Sequence, residues 1–365
     1  MNIAFVYAQG RIDRYHKTLQ GSAATEFFYG ALEMELRGHN ISLYELGNGA
    51  KKKYWYKIAE LLYRLRILPT RTNGQIMSEL YDMYPHLNKQ DVIVATTTAA
   101  AFGLAILKLL GLLKRPIVAI HCGIVNYQLF WWRKKINSIA LNSMWTQLFG
   151  EGELSEVIRF YRVSASRVEV NQFGVDTSFW YPGNVEGDYI LAVGNDKRRD
   201  YELLLKAAAR IKEKVIIVTR QKINVDIPAN VEIFKGGWHE ESLTDEKLRM
   251  LYQKSRMVIV PLVNSPQPSG QSVCLQAMSC GRPVILTQTD GLWSSEMMRD
   301  GENVVFIPPG DQDALLDAIS HFSNDNALAN EIGNSARETA CHEGNIVGFS
   351  ERLEALCLQV MSAEK

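Results

Sequence analysis

The sequence predicts an α/β protein of two domains, each built on a parallel, doubly wound sheet. Three observations predict it. The chain has 365 residues, more than one ordinary domain needs, and its 47% hydrophobic and 22% charged content suits a sizeable core. Short β-rich runs alternate with helical stretches from end to end, the pattern of parallel strands joined by crossover helices. The alternation breaks once, at YPGNVEGD over residues 181–188, and then restarts, which marks a linker.

Taken in order, residues 2–7 read as the first strand, 23–37 as its helix and 41–46 as the second strand. Strands over 91–95, 116–121 and 168–172 follow, with helices between them. Residues 96–113 are apolar except for Lys108, close to the length of a membrane span. Because two strand-like runs flank them, they read instead as a buried crossover helix. Beyond the linker, strands are expected over 189–193, 215–219, 231–235, 257–261, 283–287 and 304–307. The organisation is a first domain over 1–180, a second over 188–345, and an amphipathic terminal helix within 346–365 that packs back on the first. Open α/β sheets bind ligands at the carboxyl ends of their strands, so two in tandem predict a ligand held between them.

Lys plus Arg equals Asp plus Glu, 40 of each, so net charge gives no argument for a polyanion and no nucleic acid partner is expected. The five cysteines, Cys122, Cys274, Cys280, Cys341 and Cys357, show no CxxC and no metal-ligand spacing with histidine. They read as free thiols in a reducing compartment. The N-terminal apolar run, residues 3–8, is too short for a signal peptide, and a cytoplasmic location is expected.

The segment that carries most chemistry is PQPSGQSVCLQAMSCGRPVIL, residues 266–286. It reads as a strand end, a tight Ser269-Gly270 turn, a helix over 271–279, and Cys280-Gly281-Arg282-Pro283 opening the next strand. Glycine before a helix leaves backbone N–H groups aimed outward, and with the helix dipole they form an anion site suited to a diphosphate. The same pattern also serves an ordinary strand–turn–helix.

This segment resembles the signature of the family 4 retaining glycosyltransferases of GT-B fold, roughly PSxxEGFGLxxLEAMACGxPVV. Pro261, Leu275, Ala277, Met278, Cys280, Gly281, Pro283 and Val284 match it. Other blocks agree in order: Gly21-Ser22 with the N-terminal glycine loop, Arg37-Gly38-His39 with RGH, Phe173-Gly174-Val175-Asp176 with the linker entry, Val193-Gly194 with VGR and Asp300-Gly301-Glu302-Asn303 with DGxNG. The resemblance implies two Rossmann-like domains whose parallel sheets face a central cleft. It implies a retaining transfer of sugar from a nucleotide-diphosphate sugar to an acceptor hydroxyl, with neither metal nor other cofactor, in cell-surface polysaccharide or glycolipid synthesis. The partners would be the nucleotide sugar and an acceptor saccharide, free or lipid-linked, with the acceptor on the first domain.

Residue by residue, the resemblance assigns the transferred sugar to His121 and the departing diphosphate to Arg199, the two catalytic candidates. Gly21, Ser22, Gly194, Lys197, Ser269, Gly270, Gln271, Ser272 and Gln276 complete the donor set. Two signature glutamates are replaced, by Pro268 and by Gln276 at the ribose position, and Asn195 stands where an arginine is usual. Restoring glutamate at 276 is expected to retain or improve donor affinity. The missing glutamates keep two other readings open: a nucleotide-sugar epimerase or hydrolase, and a binding protein without catalysis. Asp311-Gln312-Asp313 spells the DxD of another glycosyltransferase fold, but it opens a helix after Pro308-Pro309-Gly310 and reads as a cap. Two basic and aromatic clusters, residues 51–57 and 130–135, suit the inner face of a membrane carrying anionic lipid, and equally well a partner interface or partly buried aromatics.

Overall fold

The computed structural model describes residues 1–47, 54–184, 187–236 and 243–364; the basic run Lys51-Lys52-Lys53 lies outside them. The chain divides into two compact units. Unit 1 comprises Met1–His16, Phe27–Gln172 and Phe349–Lys365, and unit 2 comprises Lys17–Glu26 and Phe173–Gly348.

Unit 1 holds six parallel strands: β1 (Asn2–Ala8), β2 (Asn40–Leu46), β3 (Val92–Ala95), β4 (Ile117–His121), β5 (Trp145–Leu148) and β6 (Val168–Val170), in the order β2-β1-β3-β4-β5-β6. β3 (VIVA) and β4 (IVAIH) are buried along their whole length, which is why they are continuously apolar rather than alternating. The apolar stretch after β3 folds into the crossover helix Thr98–Leu109, started by Thr97, whose hydroxyl accepts the Ala100 N–H at 3.2 Å. Among the described residues no helix is long and apolar enough to cross a membrane.

Two departures from the sequence reading have local causes. The helix expected over 23–37 is only a 3-10 turn, Glu26–Phe28, and a short helix, Ala31–Leu36. Tyr29 and Gly30 between them take left-handed φ values of 52° and 79°, which no helix continues through. A helix over Arg11–Leu19 comes before it instead. β5 escaped notice because it is four residues long and carries Thr146 and Gln147, both fully buried, where the pattern asks for apolar residues.

The RGH block is structural. Arg37 donates to the Glu354 carboxylate at 2.6 Å and to the Ser350 hydroxyl at 2.7 Å, while the His39 ring meets Glu354 at 2.7 Å. These contacts hold the C-terminal helix, Ile346–Ala363, to unit 1, which takes it from Phe349 onward. Burial pushes the Glu354 carboxyl up, but the bonds from His39 and Arg37 outweigh it and hold the carboxyl below its ordinary range.

Unit 2 holds β7 (Tyr189–Val193), β8 (Val215–Val218), β9 (Val231–Phe234), β10 (Ser255–Val260), β11 (Val284–Thr287) and β12 (Val305–Ile307), all parallel, in the order β12-β11-β10-β7-β8-β9. The order reverses at β7: chain growth runs outward through β8 and β9, then returns to β10 on its other side. Such a switch point, here at the carboxyl ends of β7 and β10, is where sheets of this kind form a ligand-binding crevice. Asp311 does cap a helix, Gln312–Asn324, its carboxylate accepting the Ala314 N–H at 2.9 Å.

Candidate functional site

In unit 2 the chain leaves β7 at Gly194 and enters the loop that carries Lys197, Arg198 and Arg199. Gly194 has φ 153°, and a Cβ there would overlap the Arg199 guanidinium. Across the crevice, β10 runs into Ser269 and Gly270, and Gly270 (φ 83°) starts the helix Gln271–Ser279 with no side chain capping it. A Cβ on Gly270 would sit 2.6 Å from Val260 and 3.1 Å from Arg199. The two glycines therefore make room for one arginine.

Arg199 is buried, 7% exposed; its Nε donates to the Val193 carbonyl at 3.2 Å and a terminal N–H to the Ser269 hydroxyl at 3.3 Å. The Ser269 hydroxyl in turn donates to Asp196 at 2.7 Å. Burial pushes the Asp196 carboxyl up, yet the Ser269 hydroxyl, the Arg198 N–H and the charges of Arg198 and Arg199 hold it below its ordinary range. Lys197 is exposed and has no ion pair among the described residues. Gln271 is buried and Ser272 half-buried in the first turn of the helix. A helix N-terminus and a buried guanidinium thus meet at one strand-end crevice, with Lys197 in the loop that carries Arg199, an arrangement that can hold a phosphate chain.

Gln276 lies two turns into the same helix and is 4% exposed. Its amide nitrogen donates to Glu26 at 2.9 Å, and its carbonyl accepts the Tyr252 hydroxyl at 3.1 Å. Glu26 is fully buried and also accepts the Trp180 indole N–H at 2.9 Å. The Trp180 and Tyr252 rings pack edge to face at 5.7 Å. The glutamine is therefore the donor that a buried carboxylate requires. These contacts count against the expectation that glutamate at 276 would retain or improve donor affinity, because it would set two buried carboxylates against each other.

Gly21 and Ser22 fall in the Lys17–Glu26 segment of unit 2. Gly21 donates to the Thr18 carbonyl and Ser22 to that of Lys17, both within their own turn. Their segment reaches the helix Gln271–Ser279 through Glu26, not through the glycine.

In unit 1 His121 ends β4 and is fully buried, with Nδ1 3.1 Å from the Thr98 hydroxyl and Nε2 without a partner. Burial, with the Arg71 charge beside it, pushes the imidazole down to about 3, so the ring is neutral. Arg71 donates to the Gly123 carbonyl at 2.8 Å and to the Thr98 hydroxyl at 3.4 Å, from a left-handed backbone of φ 67°. Glu153, also buried, accepts the N–H groups of Gly123, Ile124 and Val125 and fixes the loop after β4. The structure thus gathers Gly194, Arg199, Ser269, Gly270, Gln271 and Ser272 at one strand-end crevice, and puts His121 in the other unit.

Arg71, Glu26 and Asp196 were missed. Each lies outside any motif, and what marks each is a partner far along the chain. Among the described residues no group of three or more His, Cys, Asp or Glu side chains is arranged to hold a metal ion.

Residues 187–325 match the family described as glycosyl transferases group 1. A curated relative, alpha-maltose-1-phosphate synthase of Mycolicibacterium smegmatis, is 22% identical over a match covering 55% of this chain and 59% of its own length. Among solved structures, HepE of Anabaena in complex with UDP superposes with a TM-score of 0.70 at 15% identity, over 98% of this chain and 100% of HepE. Sucrose-phosphate synthase of Thermosynechococcus elongatus does so with a TM-score of 0.71 at 14% identity, over the whole of both chains.

Proposed function

We propose that this chain, a glycosyltransferase of GT-B type matched over residues 187–325 by the group 1 glycosyl transferases, uses a nucleoside diphosphate sugar as donor and a hydroxyl as acceptor, with retention at the anomeric carbon. The observation that carries the reading is the buried Arg199 held by Val193 and Ser269 beneath the uncapped helix at Gly270. In the transfer, the bond from the anomeric carbon to the β-phosphate oxygen breaks, the bond to the acceptor oxygen forms, and the acceptor proton is released. Negative charge grows on the departing diphosphate. Donors already in place around it act without reorganising, which lowers the barrier most. Arg199, Lys197 and the amides of residues 270–272 meet that charge, and they do so without calling on a divalent ion.

Gln276 positions the helix through Glu26 and leaves one amide hydrogen for a ribose hydroxyl. His121, neutral and on the acceptor unit, serves as a hydrogen-bonding group rather than a cation. The sugar-nucleotide complex of HepE with UDP-glucose makes that compound the first donor to try. Synthesis of a cell-surface polysaccharide or glycolipid at the inner membrane face fits the exposed Phe130 and Trp131 beside Lys134 and Lys135.

Calorimetry with UDP tests the reading. Binding is expected to survive EDTA, and Arg199→Ala is expected to weaken it by about 1.5–3 kcal/mol, the range for charge-assisted hydrogen bonds. Uridine affinity should barely change. Binding only with added magnesium or manganese would end the metal-free part of the proposal, and equal losses for UDP and uridine would move the phosphates away from Arg199.

A further inference from the structure

Unit 1 contains a second basic site that the donor reading does not use. A cavity of about 470 Å³ is lined by Arg64, Arg66, Arg71 and Arg133 together with Gln128, Phe130 and other neighbours, and no carboxylate lines it. Arg64 is paired at the rim with Glu60 at 3.2 Å. Arg66, Arg71 and Arg133 have no carboxylate partner among the described residues, and Arg133 Nε is buried without any hydrogen-bond acceptor. Leaving a buried guanidinium N–H unpaired is costly, so an anionic acceptor is favoured at this position.

Two more features point the same way. The helix Trp131–Asn142 begins at this cavity, with Phe130 as its N-cap and no side chain satisfying its first N–H groups. Its dipole adds positive potential to that of the arginines. The opposite wall is fixed to the same helix: Asn137 accepts the Thr70 N–H at 3.0 Å and donates to the Thr70 hydroxyl at 2.8 Å. Beside Thr70, Arg71 takes left-handed backbone, φ 67°, a conformation that costs about 1–3 kcal/mol, whereas Arg66, φ 58°, is the ordinary left-handed turn that ends the helix Tyr54–Arg64. Such strain is retained where the surrounding structure fixes a side chain's direction.

We propose that this pocket binds a phosphate group, and that the phosphate belongs to the acceptor. Planar guanidinium groups from several directions suit phosphate oxygens better than a single carboxylate. The link to the acceptor is Arg71, which lines the pocket and donates to the Thr98 hydroxyl that touches His121. This second half rests on the reading of unit 1 as the acceptor unit; the first half does not. The phosphate is that of a soluble phosphomonoester or of a lipid headgroup, and the chemistry recognised is the same.

The test uses the full chain and two probes: glycerol 3-phosphate by calorimetry, and phosphatidylcholine vesicles with or without phosphatidic acid by co-sedimentation. Binding of glycerol 3-phosphate and of the phosphatidic acid vesicles identifies a pocket that reads the phosphate itself. Binding of those vesicles alone identifies a headgroup at a surface. In either case Arg66→Ala and Arg133→Ala should each weaken binding about tenfold or more, the loss of a charge-assisted hydrogen bond. Arg133→Lys should recover part of it, and Lys114→Ala, an exposed cation elsewhere in unit 1, should change nothing. UDP affinity stays at the wild-type value in all four, which separates a failed pocket from a failed donor site and reports folding of unit 2. Near-ultraviolet circular dichroism reports folding of unit 1. If neither probe binds, if pure phosphatidylcholine binds as well, or if the folded arginine variants bind like wild type, the pocket is not a phosphate site. Phosphate binding without any sugar transfer to phosphate-bearing acceptors would remove the acceptor half alone.

Discussion

At the carboxyl end of its sheet, unit 2 equips its crevice with backbone: Gly194 and Gly270 yield space, and an uncapped helix supplies N–H groups around one buried arginine. Unit 1 equips the corresponding region with side chains: a neutral His121, a strained Arg71 and a pocket of further arginines. On the two readings proposed above, the contrast is between two ways of treating an anion. Backbone donors cannot be moved by rotamer changes and suit a ligand that is always the same diphosphate. Side-chain donors adapt, and suit a ligand that varies.

The largest effect that can break this comparison is expected at the seam between backbone and side chain. Gln276→Glu should destabilise unit 2 by about 3–5 kcal/mol at neutral pH, because the new carboxylate, with only the Tyr252 hydroxyl to bond it, faces buried Glu26 with no cation between them. The deficit should shrink as pH falls, since protonating one carboxyl relieves the repulsion. Urea denaturation at pH 7 and pH 5 measures it; wild-type stability at both would mean that Glu26 and Gln276 are not coupled.

Next in size is Gly194→Ala. Its Cβ overlaps a guanidinium that is buried and bonded on both sides, and alanine resists φ 153°. Overpacking and backbone strain together predict a loss of about 2–4 kcal/mol. The same substitution at Gly21, where a Cβ meets nothing, carries only the left-handed backbone strain and should cost about 1 kcal/mol. Equal losses at the two glycines would deny unit 2 its special use of backbone.

The remaining effect belongs to unit 1 and is a pH dependence that is absent at neutral pH. His121 is lowered to about 3 in the folded chain, so between that value and its unfolded value near 6.5 the unfolded chain binds the extra proton. The penalty is absent above about pH 6.5 and grows as pH falls, reaching about 2 kcal/mol at pH 5. His121→Gln should remove that share of the acid sensitivity; an unchanged slope of stability against pH would show that the ring is not held neutral.

The sequence's legibility follows the same division. The helix Gln271–Ser279 and its glycine were readable because a positive-φ turn before a helix leaves a residue-type signature, and glycine is the residue that supplies it. Strands β3, β4 and β7 were readable because burial on both faces writes itself as an apolar run. Arg71 and the arginine pocket were not, since arginine in a helix-to-loop segment looks like any solvated cation until the fold shows what lacks a partner. Nor was Glu26: the helix drawn over 23–37 would have made it one more helical acid, and only its bonds to Trp180 and Gln276 reveal a core residue. Local pattern reports local constraint, and these side chains are constrained from 154 and 250 residues away.

That separation bears on how the protein is made. Synthesis runs from the N-terminus, so Glu26 leaves the ribosome 250 residues ahead of Gln276. Unit 1 also closes late, since Phe349–Lys365 belongs to it. Glu26 cannot reach its full set of partners until residue 276 has been made, so its burial waits on distant chain. A nascent chain halted before residue 276 should therefore keep the Lys17–Glu26 segment open to protease, and extension through the rest of unit 2, to Gly348, should protect it.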